Sequence, residues 1–356
     1  MRHIFFKVII IFFTIFSFIN RSIAEENTLT VVSFGGAYGA IQKKYMIDPY
    51  MEKTKNTILF DDYSGGVAEI KAQVKANKIL WDIVDIEAID LERACSEGLL
   101  EVIPRDILPK GKDGVSAKQD FLPEALANEC GVGVIIWANI FAFNNKTIGK
   151  IYPKTIEDVF DTKKIPGKRA LRKRPQVNLE WALLADGVPK NKIYQVLATE
   201  SGQQRAFDKL DTIKNDIIWF NSWSQAPQLL NDGGAVIVQS ANGRIFDAIT
   251  KDNKPFQIVW DGNLYDLDVW SIVKGSEHKK EALNFIAFAT STQPLAGLAD
   301  IAYAPTRQSS MDYVSPNIIP FLPTTHMKQG LKADSLFWSD YGESLGVKFN
   351  HWLLKQ

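Results

Sequence analysis

Short apolar runs alternate with amphipathic stretches along the chain. LTVVSF (29–34), TILF (57–60) and WDIVDI (81–86) are brief and rich in β-branched residues, as buried strands are. Between them, GGAYGAIQKKYMIDPYMEK and SGGVAEIKAQVKANK each begin with glycines and continue as helix. Strand and helix alternating at this spacing predict βαβ units and a parallel sheet. A longer apolar run, GVGVIIWANIFAFN (131–144), has strand character, and after it the pattern restarts. IPGKRALRK reads as a strand edge, NLEWALLADG as a helix with Asn178 as N-cap and Gly187 as stop, and PKNKIYQVLA as a helix opened by proline. DIIWF (216–220), AVIVQS (235–240) and FQIVW (256–260) supply three more strands, and VWSIVKG (269–275) a last one. In HKKEALNFIAFATST, the residues Ala282, Leu283, Ile286, Ala287 and Ala289 suit a packed helix.

The pattern thus predicts two α/β lobes, the first from residues 25–140 plus 266–302 and the second from 141–265 plus 303–356. Two such lobes leave a groove between them, and open parallel sheets bind ligands beyond the carboxyl ends of their strands. Asp62 and Tyr63 follow the second strand and Glu87 follows the third, so these side chains are the first candidates for the groove.

The amino terminus sets the compartment. Arg2 and Lys7 form a basic start ahead of the apolar run VIIIFFTIFSFI (8–19), and Ser22-Ile23-Ala24 offers small residues where a signal peptidase reads. The run is short for a membrane span, which needs about 20 apolar residues. The expectation is a cleaved leader, residues 1–24, and a periplasmic chain beginning near Glu25. The full sequence balances 41 basic against 41 acidic residues, and loss of Arg2, Lys7 and Arg21 with the leader leaves a net charge of −3. A mildly acidic exported protein lacks the basic footprint that nucleic acid demands. Cys95 and Cys130 are the two cysteines, which in an oxidising compartment suggests a disulfide; two buried thiols are the alternative. His278, His326 and His351 form no ligand-spaced cluster, so no metal is expected.

The stretch WDGNLYDLDVW (260–270) carries the chemistry. It sets Asp261, Asp266 and Asp268 among two tryptophans and a tyrosine, and strand alternation puts Asp266 and Asp268 on one face. Signatures of serine hydrolases, zinc proteases, P-loop enzymes and dinucleotide binding are missing, so paired carboxylates leave a secreted hydrolase only as a remote alternative. An ammonium group explains the composition better. Carboxylates supply its counter-charge, and aromatic faces add cation–π attraction of roughly 0.5–2 kcal/mol per contact.

Several segments, VVSFGGAYGA, WDIVDIEAIDLERACSEGLLEVI, GVGVIIWANIFAFN, NGRIFDA, NLYDLDVWSIVKGSEHKKEALNFIAFATS and IAYAPTR, resemble the periplasmic spermidine/putrescine-binding proteins of ABC importers. The resemblance implies an α/β, two-lobed periplasmic binding protein of type II-like form, each lobe a mainly parallel sheet flanked by helices, joined by crossing strands. It implies a monomeric, non-catalytic receptor without cofactor, capturing a polyamine and passing it to a membrane permease. Asp268 matches the family's amine-binding aspartate, Tyr38 and Tyr303 match aromatic positions of its cleft, and Trp137 matches a recurring tryptophan. Asn242-Gly243 falls at an Asn-Gly that an aromatic precedes in the family; here that position is Ala241. Asp266 replaces another aromatic, and Glu87 stands where the family has a small polar residue. Lys173 and Arg174 lie near positions that are acidic in spermidine binders, with Glu180 further along. The expected ligand-binding set is Tyr38, Asp62, Glu87, Trp137, Glu180, Asn242, Asp266, Asp268 and Tyr303. The alternative ligand is zwitterionic or anionic, an amino acid or amino-phosphonate. The backbone N–H groups of GGAYG and SGGVA, with Arg174 or Arg244 as a clamp, would hold its acidic end.

Overall fold

The computed structural model describes residues 28–355, so the expected leader and its cleavage site at Ala24 lie outside the described residues. The principal strands are β1 (Thr28–Ser33), β2 (Thr57–Asp62), β3 (Ile83–Glu87), β4 (Gly131–Asn144), β5 (Arg169–Arg172), β6 (Ile217–Phe220), β7 (Ile237–Ala241) and β8 (Phe256–Ile272). They form one mixed sheet in the order β2-β1-β3-β8-β4-β7-β5-β6. Pairing is parallel within β2-β1-β3 and within β7-β5-β6, and antiparallel across β3-β8, β8-β4 and β4-β7. Each lobe therefore winds its own three strands with the first in the middle, and the long antiparallel pair β4 and β8 runs through both.

This is the two-lobed α/β architecture expected from the alternation of elements, with one correction. FQIVW and VWSIVKG are not separate strands but the two ends of β8, 17 residues long. At about 3.3 Å per residue it reaches roughly 55 Å, enough to serve both lobes. Its middle is interrupted. The pairing of β8 with β4 slips between Asn139 and Phe141, and Gly262 there has φ +70°, so Trp260–Asn263 bulge out of the ladder.

The helices that pack around the sheet include α1 (Gly36–Gln42), α2 (Ala68–Lys75), α3 (Ala88–Ser96), α4 (Asn178–Ala185), α5 (Asn242–Thr250), α6 (Lys279–Ala289) and α7 (Ser335–Leu354). Asn178 is the first residue of α4 rather than its cap; Val177 holds the cap position at φ 71°. The Asn178 amide donates instead to the carbonyls of Arg172 and Arg174, at 2.8 and 2.7 Å, tying down the loop that follows β5. Apolar side chains collect on either side of the crossing strands, with Val31, Ile83, Trp270 and Phe285 in one cluster and Phe141, Trp181, Trp338 and Phe349 in the other.

The expected disulfide is present. Cys95, in α3, and Cys130, just before β4, are joined as a disulfide with Cα atoms 5.8 Å apart. Closing 35 residues of chain in this way stabilises by roughly 3–4 kcal/mol in the chain-entropy account. After residue 303 the chain stays on the first lobe for some distance. Ala304 and Pro305 pair with Ile136 and Ile135 of β4, and the buried Arg307 guanidinium bonds Asp120 at 2.8 Å. Phe321 and His326 then meet Phe246 and Trp260 of the second lobe, and Leu331 and Lys332 pair with Leu264 and Tyr265 of β8, followed by α7.

Candidate functional site

The carboxyl ends of the parallel strands of both lobes converge on the middle of β4 and β8. In the ladder Glu87 of β3 lies opposite Asp268 of β8, and Asp85 lies opposite Trp270. Directly opposed residues share a face, so three carboxylates and an indole are gathered on one side of the sheet by register alone. Trp137 of β4 lies opposite Asp266 and joins them. All of these side chains are buried.

Two small cavities occupy this region, each of about 10 Å³, room for roughly one water. One is lined by Tyr38, Phe34, Tyr303, Arg244 and Asp268; the other by Arg172, Arg174, Gln239, Asn139 and Asp266. Glu87, Trp137 and Trp223 border both. A wider groove of about 690 Å³ lies elsewhere, beside Tyr45, Phe288 and Tyr313, but it is open to solvent and borders none of these buried charges.

The three acids of WDGNLYDLDVW have three different fates. Asp261 sits in the bulge and accepts the amide of Ile156 at 3.0 Å, while neighbouring Trp260 stacks on His326 with ring centres 3.9 Å apart. Asp266 accepts the amides of Ile89 at 3.1 Å and Leu267 at 2.9 Å. Asp268 makes no ion pair among the described residues, and its Oδ1 is buried without a hydrogen-bond partner. Burial, followed by the neighbouring Asp85, Glu87 and Asp266 carboxylates, pushes the Asp268 pKa well above the usual range. Burial likewise lifts Asp266 to about 8 and Asp85 to about 7, the latter despite hydrogen bonds from Gln42 at 2.5 Å and Ser33 at 3.1 Å.

The cations facing these acids come from the second lobe. Burial alone would raise the Glu87 pKa, but Arg172 and Arg174 hold it down to about 2. Glu87 Oε1 accepts from Arg172 at 2.7 Å and Oε2 from Arg174 at 2.5 Å, while Arg174 also bonds Asp90 at 3.0 Å. Two arginines and two acids thus neutralise one another across the cleft. Arg244 is different. Its Nη2 donates to the carbonyls of Phe34 and Gly35 at 2.9 and 3.0 Å, its Nε has no partner, and no carboxylate pairs with it among the described residues. Gly36, at φ +56°, admits it: a Cβ there would lie 2.5 Å from Arg244 Nη1. A guanidinium stays charged even when buried.

The surrounding walls are aromatic. Tyr38 and Tyr303 meet edge to face at 5.2 Å, and Trp137 and Trp223 at 5.6 Å. A Cβ on Gly243 would strike the Tyr303 ring at 2.5 Å, so the Asn242-Gly243 pair is what lets that ring approach α5. Asn242 itself braces the wall from behind, accepting the Ala138 amide at 3.0 Å and donating to the Ala302 carbonyl at 2.7 Å.

Of the residues singled out from sequence, the structure brings Tyr38, Glu87, Trp137, Asp266, Asp268 and Tyr303 to the cavities. Asp62 is exposed at the end of β2, and Lys173 points to solvent. Glu180 lies in the second-lobe core, accepting Trp338 Nε1 at 2.7 Å and the Tyr194 hydroxyl at 3.3 Å, and it borders neither cavity. Burial lifts its pKa to about 7. Sequence reasoning passed over Asp85, Arg172 and Trp223. Asp85 lies two residues before Glu87, hence on the same face; Arg172 ends β5 and Trp223 follows β6 in the loop three residues past Phe220, where the strand-end rule would have found them.

The described residues contain no acid, cysteine or histidine cluster fit for a metal, and no helix among them is long and apolar enough to cross a membrane. Residues 45–319 match the family model for bacterial extracellular solute-binding proteins. The chain is 37% identical over 332 residues to the gamma-aminobutyric acid-binding protein of Pseudomonas aeruginosa, covering 92% of each. It superposes on the solved Atu4243-GABA receptor with a TM-score of 0.79 and 31% identity, over 93% of this chain and 98% of the other. The binding protein MotA of A. tumefaciens B6, solved with glucopine, superposes with a TM-score of 0.85 and 28% identity, over 92% and 99%.

Proposed function

The chain belongs to the family of bacterial extracellular solute-binding proteins, and we propose that this member captures a small zwitterionic, amino-acid-like solute of the γ-aminobutyrate (GABA) class. Proteins of this family deliver small ligands to the permease of an ABC importer. The carrying observation is the pair of unmatched buried charges at one cavity: Asp268 with a free oxygen and Arg244 with a free N–H. An ammonium on Asp268 and a carboxylate on Arg244 satisfy both, and the aromatic walls cover the methylenes between them. The cavities as they stand hold little more than water, so the solute enters an opened cleft and the lobes close over it.

This reading replaces the expected polyamine with the amino-acid alternative. A diamine would set its second ammonium against Arg244, a buried like-charge contact that costs several kcal/mol. Acidic capacity is also smaller than the sequence suggests, because Glu87 is consumed by two arginines and Glu180 is remote. The relatives named for GABA support the same choice.

Titration calorimetry with GABA, putrescine and butyrate tests the proposal. GABA binds, and the two solutes that each lack one of its charges bind at least about 100-fold more weakly, as expected when a buried charge is left unmet. Tight putrescine binding with no response to GABA would restore the polyamine reading.

A further inference from the structure

We propose that Glu87 sets the charge class of the solute. By filling the Arg172/Arg174 fork with a carboxylate of the protein's own, it shuts out ligands that carry a second carboxylate, and its removal turns the site into one for dicarboxylic amino acids. The inference rests on the zwitterion reading above and extends it to specificity.

Position is the first support. Glu87 borders both cavities and, with Trp137 and Trp223, forms the partition between them. On one side are the unmatched charges Asp268 and Arg244; on the other are the arginines that Glu87 neutralises. Truncating its side chain joins the two spaces into one elongated site.

The fork is also held in place without Glu87. Arg172 Nη2 donates to the Ser64 carbonyl at 2.6 Å, and its guanidinium lies 4.4 Å from the centre of the Trp223 ring. Arg174 bonds Asp90 at 3.0 Å through Nη2 and Gln176 at 3.0 Å through Nε. Once the internal carboxylate is removed, both guanidiniums stay near their places, each with an unmet N–H aimed where Glu87 stood. Two converging guanidiniums form the geometry that recognises a carboxylate. Because Asp90 still answers one of them, the vacated position carries one excess positive charge, matched to one added carboxylate on the ligand.

The lobes give the exchange its selectivity. Glu87 and Asp90 belong to the first lobe and the arginines to the second, so in the native chain closure completes the charge cluster without help from the solute. A second carboxylate on the ligand would have to displace Glu87 and leave it buried and unpaired. In the Glu87→Ser chain closure leaves the fork short of a counter-charge, and a dicarboxylic ligand supplies it.

GABA and L-glutamate are the probes, because glutamate is GABA with one more carboxylate on the amine-bearing carbon. Calorimetry on the native chain should give glutamate at least about 100-fold weaker than GABA. Glu87→Ser should gain at least about 30-fold in glutamate affinity over the native chain, and the added change Arg174→Gln should erase most of that gain. The isosteric Glu87→Gln, which removes charge without volume, should gain less than Glu87→Ser; it decides the matter if the serine variant does not fold. Native binding of glutamate within tenfold of GABA overturns the proposal. So does a folded Glu87 variant that binds GABA and gains nothing for glutamate, or a gain that survives loss of Arg174. Failure of the native chain to bind GABA would instead strike the zwitterion reading itself.

Discussion

Asp268→Asn separates a ligand contact from a structural one, because the two roles carry opposite signs for stability. In the ligand-free fold Asp268 is 4% exposed, one of its oxygens has no partner, and Asp85, Glu87 and Asp266 crowd it. Above neutral pH the native chain must either keep a proton there or hold a repelled charge. Asparagine has nearly the same shape without the charge, so the variant relieves the empty fold of that repulsion, or of the cost of holding the proton. Tm of the ligand-free variant at pH 8 should therefore equal or exceed that of the native chain. Binding moves the other way. Loss of a buried, charge-assisted contact with the solute ammonium costs about 2–5 kcal/mol. At 1.4 kcal/mol per decade that weakens GABA binding by roughly 30- to 4000-fold. Scanning calorimetry and GABA titration at pH 8 read the two effects on one sample. GABA affinity within threefold of native, or a Tm lowered by several degrees, would show that Asp268 is a structural group and that the ammonium sits elsewhere.

Three further outcomes follow from the same geometry. Asp85 and Asp266 have pKa values of about 7 and about 8 in the fold against 3.8 unfolded, so the folded chain holds protons the unfolded chain has released, and ligand-free stability falls as pH rises from about 4 to 8. Glu87 acts in the opposite sense: at about 2 against 4.5, its contribution is present above about pH 4.5 and is lost on approach to 2, so Tm should peak in the weakly acidic range, and a steady rise from pH 5 to 8 would contradict this. Gly36→Ala introduces a Cβ 2.5 Å from Arg244 Nη1 at φ +56°; displacement of the guanidinium should weaken GABA about tenfold by titration, whereas unchanged affinity would remove Arg244 from the site. Replacing Cys95 and Cys130 by serine should lower Tm by several degrees, in keeping with roughly 3–4 kcal/mol, yet leave GABA affinity within threefold, because the bond joins α3 to β4 and borders neither cavity.

The alternation of strand and helix was legible because each lobe repeats the same βαβ grammar, whereas strand alternation and aromatic context favoured Asp266 and Asp268 alike, and only the family resemblance set Asp268 apart. The neighbouring acids differ from Asp268 in a way the sequence does not display. Asp261 and Asp266 spend their lone pairs on backbone amides, one in a bulge and the other beside α3, and nothing in a linear sequence distinguishes an acid that caps an amide from one left free. Glu180 follows a loop whose path depends on Asn178 binding two carbonyls, so the helix presents it to Trp338 instead of to the cleft. Glu87 was correctly placed at a strand end, but its neutralisation depends on Arg172 and Arg174, some 85 residues away in sequence and brought to it only by closure of the two lobes. Charge balance in a cleft is a property of partners, and partners are set by tertiary structure.

The most direct measurement is a crystal structure of the chain grown with GABA. The account predicts a closed cleft with the ligand ammonium within hydrogen-bond distance of Asp268, its carboxylate on Arg244, and Glu87 still held by Arg172 and Arg174. Density for GABA with its carboxylate on the Arg172/Arg174 fork and Glu87 displaced, or for GABA bound outside the cavity shared by Asp268 and Arg244, would contradict it.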